Sequence, residues 1–185
     1  MLHPRFAVWL VLIAASGVPI SGCTNDPLPV TPSAPGVESG RNFSGDYTLA
    51  LEAASDCDSG IWSGKPLAVE LRRRSFDATM TQDGSRLQIV LTEPRFEDWT
   101  DNARRLSGTV TKSGANFVIG TDPANWFSDL TERLPDGSTL QISGFAKTTG
   151  SSGVLSGAFS GYFSHASAAE WLGDCDGSRF TLSPR

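Results

Sequence analysis

The chain has 185 residues, and its 15 lysines and arginines against 20 aspartates and glutamates give a net charge of -5 near neutral pH. This acidic balance argues against nucleic acid as a partner, because phosphate backbones are bound by basic surfaces. Gly, Ser and Thr are abundant and long helical periodicity is absent, which predicts an all-β domain with many turns.

The first 23 residues have the pattern of an export signal. Arg5 gives a short basic start, and the apolar run 6–20 is shorter than the roughly 20 residues that span a bilayer. The run ends in Ile20-Ser21-Gly22-Cys23, which resembles the bacterial lipobox. The resemblance implies cleavage before Cys23 and lipid on its sulfur. Two or three acyl chains would anchor the protein stably to a membrane.

The lipobox resemblance also implies a location. Thr24, not aspartate, follows the cysteine, and in enterobacterial lipoproteins this favours the outer membrane. Residues 24–40 hold four prolines among small and polar residues, which indicates a tether reaching up to about 50 Å. The predicted organisation is a signal peptide (1–22), a lipidated cysteine and disordered tether (23–40) and one folded domain (41–185).

The folded part is predicted to be a series of strands separated by tight turns. Gln82-Asp83-Gly84-Ser85 and Pro135-Asp136-Gly137 are hairpin signals. The apolar face changes parity between Leu71 and Phe76, which predicts a bulge in 72–74. Residues 167–172 are predicted to form a short helix. The strands are predicted at 45–53, 67–82, 87–91, 105–112, around 117–119, at 128–134, around 140–144, at 155–163 and around 180–182.

Eight sequential strands, a short helix and a ninth strand predict an up-and-down antiparallel β-barrel, in which closure removes exposed sheet edges. The alternative is a two-sheet β-sandwich, which the same alternation allows. This order of elements resembles the lipocalin branch of the calycins, where Gly45-Asp46-Tyr47 stands in place of Gly-x-Trp. The resemblance implies that Arg179 packs over Tyr47. The chain departs from the family in its tyrosine and in lacking the second lipocalin motif. It is also similar to lipoproteins of soil bacteria to which no activity is assigned.

Tryptophans fall in the connections of this predicted meander and not in its strands. Trp62, Trp99 and Trp126 lie in three long connections that we expect at one barrel end. They predict an aromatic rim around a pocket for a small, partly apolar ligand, with Phe76 and Met80 as lining residues. The alternative is that the tryptophans plug the barrel end and that the interior is filled by side chains.

Two cysteines remain once Cys23 is assigned to lipid. In an oxidising envelope compartment, Cys57 and Cys175 predict one disulfide. The pair would bring Asp56, Asp58, Asp174 and Asp176 together, because each cysteine lies between two aspartates. Calcium is one way to neutralise four carboxylates. Turn or cap aspartates facing solvent are the alternative.

No enzyme motif is visible, and after cleavage His165 is the single histidine, so a zinc cluster of histidines is excluded. The sequence therefore predicts a monomeric, non-enzymatic envelope lipoprotein that binds a small, partly apolar ligand in a β-barrel. The alternative is a structural or protein-interaction domain with a filled barrel. Beyond possible calcium we expect no cofactor, and the predicted partner is the membrane, through the lipid.

Overall fold

A computed structural model describes residues 41–93, 104–120, 129–150 and 153–185. Within them the one helical element is a 3-10 turn at Val69–Leu71. The signal peptide, Cys23 and the tether lie outside the described residues, so that part of the domain division stays a prediction. The strands are β1 Gly45–Ala53, β2 Arg73–Asp83, β3 Arg86–Leu91, β4 Arg105–Val110, β5 Gly114–Ile119, β6 Leu130–Arg133, β7 Thr139–Thr149, β8 Leu155–Ala166 and β9 Trp171–Pro184.

The strands form one antiparallel sheet that closes on itself. β1 to β5 pair in sequence, β7, β8 and β9 do the same, and the pairings β9–β1 and β5–β7 complete the circle. Eight strands make the wall, and the extra strand β6 pairs with β7 alone. The predicted up-and-down barrel is confirmed, and the alternative sandwich is wrong because a single closed sheet replaces two facing ones.

β6 is not the separate wall strand that the sequence predicts. β5 pairs with Gly144–Thr149 of β7, and β6 pairs with Thr139–Ile142 along the same edge. β6 therefore continues β5 in the same direction after residues 120–129. The physical reason is that β7 extends past the end of β5, and its backbone groups need partners there.

This continuation decides which connections share a barrel end. β1, β3, β5 and β8 all finish at one end, which we call the loop end; the opposite end is the turn end. The predicted helix at 167–172 is wrong. Residues 167–170 form a tight connection and Ala166 pairs with Trp171. If β6 were a separate wall strand, β8 would end at the turn end and the chain would have to return along the barrel to reach Cys175. Because β6 continues β5, β8 ends beside Cys175 and no helical return is needed.

The segment before β2 also differs from its prediction. β2 begins at Arg73, and the preceding 3-10 turn, not a bulge, produces the change in parity between Leu71 and Phe76. The Asp83-Gly84 hairpin is confirmed: Gly84 has a φ of +59°, a left-handed conformation that glycine adopts without steric cost.

Aromatic side chains fill the barrel interior. Phe117 on β5 and Phe180 on β9 stack with their ring centroids 5.0 Å apart, although β7 and β8 separate these strands in the wall. The two rings therefore meet across the lumen. An eight-stranded barrel is just wide enough for side chains to fill. The largest fully buried side chains include Phe76, Phe117, Phe159, Phe163 and Phe180.

Glycines make room for these rings. A Cβ on Gly177 would lie 2.2 Å from Cδ1 of Phe159, and one on Gly161 would lie 2.8 Å from its Cζ. Gly144, which pairs with Gly161, meets the same ring. Glycine at these three wall positions, on β7, β8 and β9, thus lets one phenylalanine ring lie flat against the wall.

The lipocalin-like pairing of Arg179 with Tyr47 is wrong. Register places Arg179 opposite Glu52, five residues along β1 from Tyr47, which corresponds to about 17 Å in a strand. Arg179 is exposed, whereas Tyr47 is buried and burial raises the pKa of its hydroxyl.

We expect Gly177→Ala to lower the free energy of unfolding by about 1–3 kcal/mol, because the new methyl group collides with the ring of Phe159. In Gly177→Ala/Phe159→Leu the two losses should be less than additive, because the shorter side chain relieves the collision. Urea denaturation measures both. Ser107→Ala, at an exposed position of β4, is the control. Strict additivity would contradict the contact.

Candidate functional site

The described candidate residues that are not inside the barrel lie at the loop end. Trp62 is exposed in the connection between β1 and β2, and Trp171 is exposed at the start of β9. The strands that flank the connections carrying Trp99 and Trp126 also meet the loop end. Those two tryptophans lie outside the described residues, so an aromatic rim that includes them stays a prediction.

The two predicted lining residues lie inside the barrel. Phe76 and Met80 are each 1% exposed and belong to the core of β2. They are buried among the other interior side chains, so solvent does not reach them.

An ion pair lies above this filled interior, at the loop end. Arg74, at the start of β2, donates from Nε to Oε2 of Glu132 at 2.9 Å, and a second bond joins its Nη2 to Oε1. Glu132 belongs to β6, which does not neighbour β2 in the sheet. The carboxylate is almost wholly buried, so a charge there needs this partner.

The predicted disulfide is confirmed. Cys57 and Cys175 are bonded, with their Cα atoms 5.6 Å apart, and the bridge closes 118 residues of sequence. Cys57 lies four residues after β1 and Cys175 lies in β9, both at the loop end. The chain-entropy estimate for so long a loop is about 4–5 kcal/mol.

Beside the disulfide, Asp174 holds a turn of the chain around its carboxylate. Oδ2 accepts N–H bonds from Ile61 (2.5 Å) and Trp62 (3.0 Å). Oδ1 accepts from the N–H of Ser63 (2.8 Å) and from its hydroxyl (2.5 Å). The carboxylate is fully buried, and four donors satisfy it.

These bonds decide the protonation state of Asp174. Burial raises the pKa of its carboxyl, but the bonds from the Ser63 hydroxyl and from the N–H groups of Ser63, Trp62 and Ile61 lower it by more. The pKa therefore lies below its ordinary value, because every bond is made to the charged form.

The backbone around Asp174 is packed too tightly for additional side chains. A Cβ on Gly60 would lie 2.3 Å from Oδ1 of Asp174 and from the carbonyl oxygen of Lys65, and one on Gly173 would lie 2.5 Å from the carbonyl oxygen of Pro66. Backbone bonds join Asp174 to Lys65 and to Leu67. Residues 65–67 thereby run beside β9 where β1 has ended.

Two basic side chains fasten the same connection. Arg72 donates from Nε to the carbonyl of Leu67 at 3.0 Å and from Nη2 to the carbonyl of Cys57 at 2.9 Å. Lys65 forms an ion pair with Glu170 at 3.2 Å, across to the connection between β8 and β9. This pair is exposed and contributes little on its own.

The structure does not bring the four predicted calcium ligands together. Asp56, Asp58 and Asp176 are exposed, while Asp174 is engaged by backbone N–H groups. In the described part of the chain, no group of three or more His, Cys, Asp or Glu side chains is placed to hold a metal ion. The calcium hypothesis gains no support, because its one buried carboxylate already has donors.

His165 lies in β8 and contacts Ser138, a pair that the sequence did not indicate. Nε2 of His165 is 2.8 Å from Oγ of Ser138, and that hydroxyl donates to Oδ1 of Asp136 at 2.5 Å. The single hydroxyl proton is used toward Asp136, so the imidazole must donate. The bonds from the Ser138 hydroxyl and N–H lower the pKa of Asp136. This arrangement directs the hydroxyl proton of Ser138 away from the imidazole.

A second polar group lies where β6 begins. Asp129 is buried, and its Oδ2 accepts from the Tyr162 hydroxyl at 3.2 Å. Burial raises the pKa of Asp129, and hydrogen bonds with Tyr162 and Ser143 offset part of that rise. Burial is also the largest cause that raises the pKa of Tyr162.

Comparisons of the chain with known proteins find no matching family model, no similar curated protein and no similar solved structure. No helix among the described residues is long and apolar enough to cross a membrane.

We expect Asp174→Asn to lower the free energy of unfolding by about 3 kcal/mol, because an amide has one acceptor oxygen and turns donors toward the N–H groups of Ile61 to Ser63. Asp176→Asn, its exposed counterpart on the other side of Cys175, should change stability by less than about 0.5 kcal/mol. Urea denaturation distinguishes the two, and equal effects would contradict the role of Asp174.

The same carboxylate predicts a pH dependence. Because its pKa is lowered on folding, the stability it contributes is fully present above the unfolded-state pKa of about 3.9 and is lost as the pH falls through the lower folded-state pKa. The stability of the parent protein should therefore fall more steeply below about pH 4 than that of Asp174→Asn. Parallel curves would contradict the assignment.

Proposed function

We propose that this chain is an envelope lipoprotein, anchored through lipid on Cys23, whose barrel is a filled, non-catalytic module for contacts with other proteins. The observation that carries the proposal of a filled interaction module is the stack of Phe117 on Phe180 across the lumen. The proposal of a lipid anchor is supported by the lipobox-like Ile20-Ser21-Gly22-Cys23 and by the apolar run before it.

The filled interior supports a role outside the lumen. A pocket for a small molecule is commonly about 300 Å³ or more. Here two opposite walls touch through Phe117 and Phe180, and the ion pair of Arg74 with Glu132 lies at the loop end. A ligand inside would have to displace aromatic rings and separate a buried charge from its partner, and both cost several kcal/mol.

A non-catalytic role is supported by the chemistry of the polar groups. The serine–histidine pair of Ser138 and His165 directs its hydroxyl proton toward Asp136, so the imidazole is not placed to accept it. The carboxylate of Asp174, whose pKa is lowered, accepts hydrogen bonds that hold a turn of the main chain. Neither group is arranged as a nucleophile with its base.

A small, partly apolar ligand is the second candidate, and the exposure of Trp62 favours it. Such a ligand would bind on the outside of the loop end, against Trp62 and the predicted rim residues Trp99 and Trp126. Phe76 and Met80 would then support the barrel wall and not line the site.

The anchor is tested with Cys23→Ala. The variant should take up no label from radioactive palmitate and should accumulate as the uncleaved precursor, because both the acyl transfer and the cleavage require the thiol. Cys57→Ala is the matched control and should still be labelled. Palmitate label on Cys23→Ala would contradict the lipoprotein assignment.

The filled barrel is tested with a panel of fatty acids and aromatic metabolites. The mature protein should show no saturable change in tryptophan fluorescence and no rise in Tm, because a ligand that binds only the folded state would stabilise it. A saturable response that Phe180→Trp abolishes would place a ligand in the lumen and contradict the filled-barrel proposal. A response lost in Trp62→Ala alone would support the second candidate.

A further inference from the structure

We propose that the loop end displays a preformed docking surface, made of Ile61, Trp62 and Trp171, for a partner protein segment that carries basic side chains next to apolar ones. The inference rests on the proposed function of the barrel as an interaction module. It adds the surface and the chemistry of the partner.

Hydrogen bonds and an ion pair join the two segments that carry these three side chains. Ile61 and Trp62 are bound through their N–H groups to Asp174, three residues after Trp171 in β9. Lys65, three residues after Trp62, forms its ion pair with Glu170, the neighbour of Trp171. The surface thus combines two connections of the loop end.

The surface is exposed although the loop beneath it is tightly held. Trp62 is 70%, Ile61 57% and Trp171 51% exposed. A loop is ordinarily held by burying its own apolar side chains. Leu67 and Leu71 of this loop are buried, but the turn at Ile61 and Trp62 is held by the carboxylate of Asp174 through main-chain N–H groups, next to the disulfide, and this leaves both side chains facing solvent.

A rigid, exposed tryptophan is well suited to binding another protein. Tryptophan is among the residues that contribute most to protein interfaces. Since the main chain at Trp62 is already fixed by Asp174 and by the disulfide, binding would order little of it, and this lowers the entropic cost of association.

Charge indicates the chemistry of the partner. Asp56, Asp58 and Asp176 flank the disulfide and are exposed, and among the described residues none of them forms an ion pair. The nearby Lys65 is already paired with Glu170. Three exposed carboxylates thus lie in the same connection as Trp62 or on the same strand as Trp171. This acidic border is complementary to lysine and arginine side chains.

The same border disfavours two other occupants. An anionic lipid surface attracts basic segments and would be repelled here. A second copy that binds through the same surface would bring both sets of carboxylates into one interface, and like charges repel.

The position of the first described residue also favours a partner protein over the membrane as the occupant of this surface. Arg41, the first described residue, lies at the turn end, where its carbonyl and the N–H of Phe43 bind the side chain of Gln82. Ile61 and Trp62 lie at the opposite end of the barrel from Arg41, the residue that follows the predicted tether.

The test uses the mature lipoprotein in phosphatidylcholine nanodiscs and three fluorescein-labelled twelve-residue peptides. The first alternates leucine with lysine, the second replaces every lysine by glutamate, and the third replaces every leucine by serine. Anisotropy should show saturable binding of the first peptide and at least about tenfold weaker binding of the other two. Empty nanodiscs correct for binding to lipid.

Substitutions test whether the peptide binds at the proposed docking surface. Trp62→Ala should weaken the leucine–lysine peptide at least about tenfold, and Asp58→Asn/Asp176→Asn should weaken it while shifting its salt dependence. Both changes are at exposed positions, and unchanged Tm values would show that the fold is intact. Val154→Ala, at a half-exposed apolar position near the turn end, is the matched control and should bind like the parent.

Four outcomes would overturn the inference. They are no peptide binding, equal binding of the glutamate peptide, equal binding by Trp62→Ala, and Trp62-dependent association with protein-free vesicles or with a second copy in sedimentation. None of them depends on the lumen. A lumenal ligand found in the metabolite panel would instead overturn the proposed function, so the two failures are distinguishable.

Discussion

The narrow lumen of an eight-stranded barrel is the constraint on which the rest of this structure depends. Closing eight strands leaves an interior that side chains can fill, and here the rings of Phe117 and Phe180 meet from opposite walls. Phenylalanine rings fit in so narrow a lumen only where the neighbouring wall residues have no side chain. Gly161 and Gly177 provide the space by leaving the wall without side chains under Phe159. The pattern of alternating glycines and phenylalanines in the sequence is thus one packing arrangement and not two separate features.

The packed interior leaves the ends and the outside of the barrel as its solvent-facing surfaces. At the loop end, the connection between β1 and β2 is held by the disulfide, by the carboxylate of Asp174 and by the guanidinium of Arg72. Leu67 and Leu71 of this connection are buried in the core, whereas the turn at Ile61 and Trp62 is held through its main-chain N–H groups. The exposure of Trp62 follows from that division of roles, and it is the reason to look for a partner at this end.

The aspartates around the disulfide have very different environments, even where they are close together in the sequence. Asp174 and Asp176 both flank Cys175, yet one is buried under four hydrogen bonds and the other is exposed. Backbone N–H groups can satisfy a carboxylate as a cation can, because both place positive charge against its oxygens. Repulsion among the four aspartates, the premise of the calcium hypothesis, is relieved because Asp174 faces N–H donors and the other three face water.

The sequence by itself determined the all-β class, most of the strands, the turns at Gly84 and Gly137 and the pairing of Cys57 with Cys175, and it favoured a barrel over a sandwich. These depend on local alternation, on turn chemistry and on an even number of cysteines, all of which are read along the chain. It also carries the whole case for lipid on Cys23. Only the tertiary structure decided that β6 continues β5, that no helix precedes β9 and that Asp174 holds Ile61 to Ser63. Those features depend on which distant strand edge or main-chain turn lies opposite a given residue, and alternation along one strand contains no information about its partner.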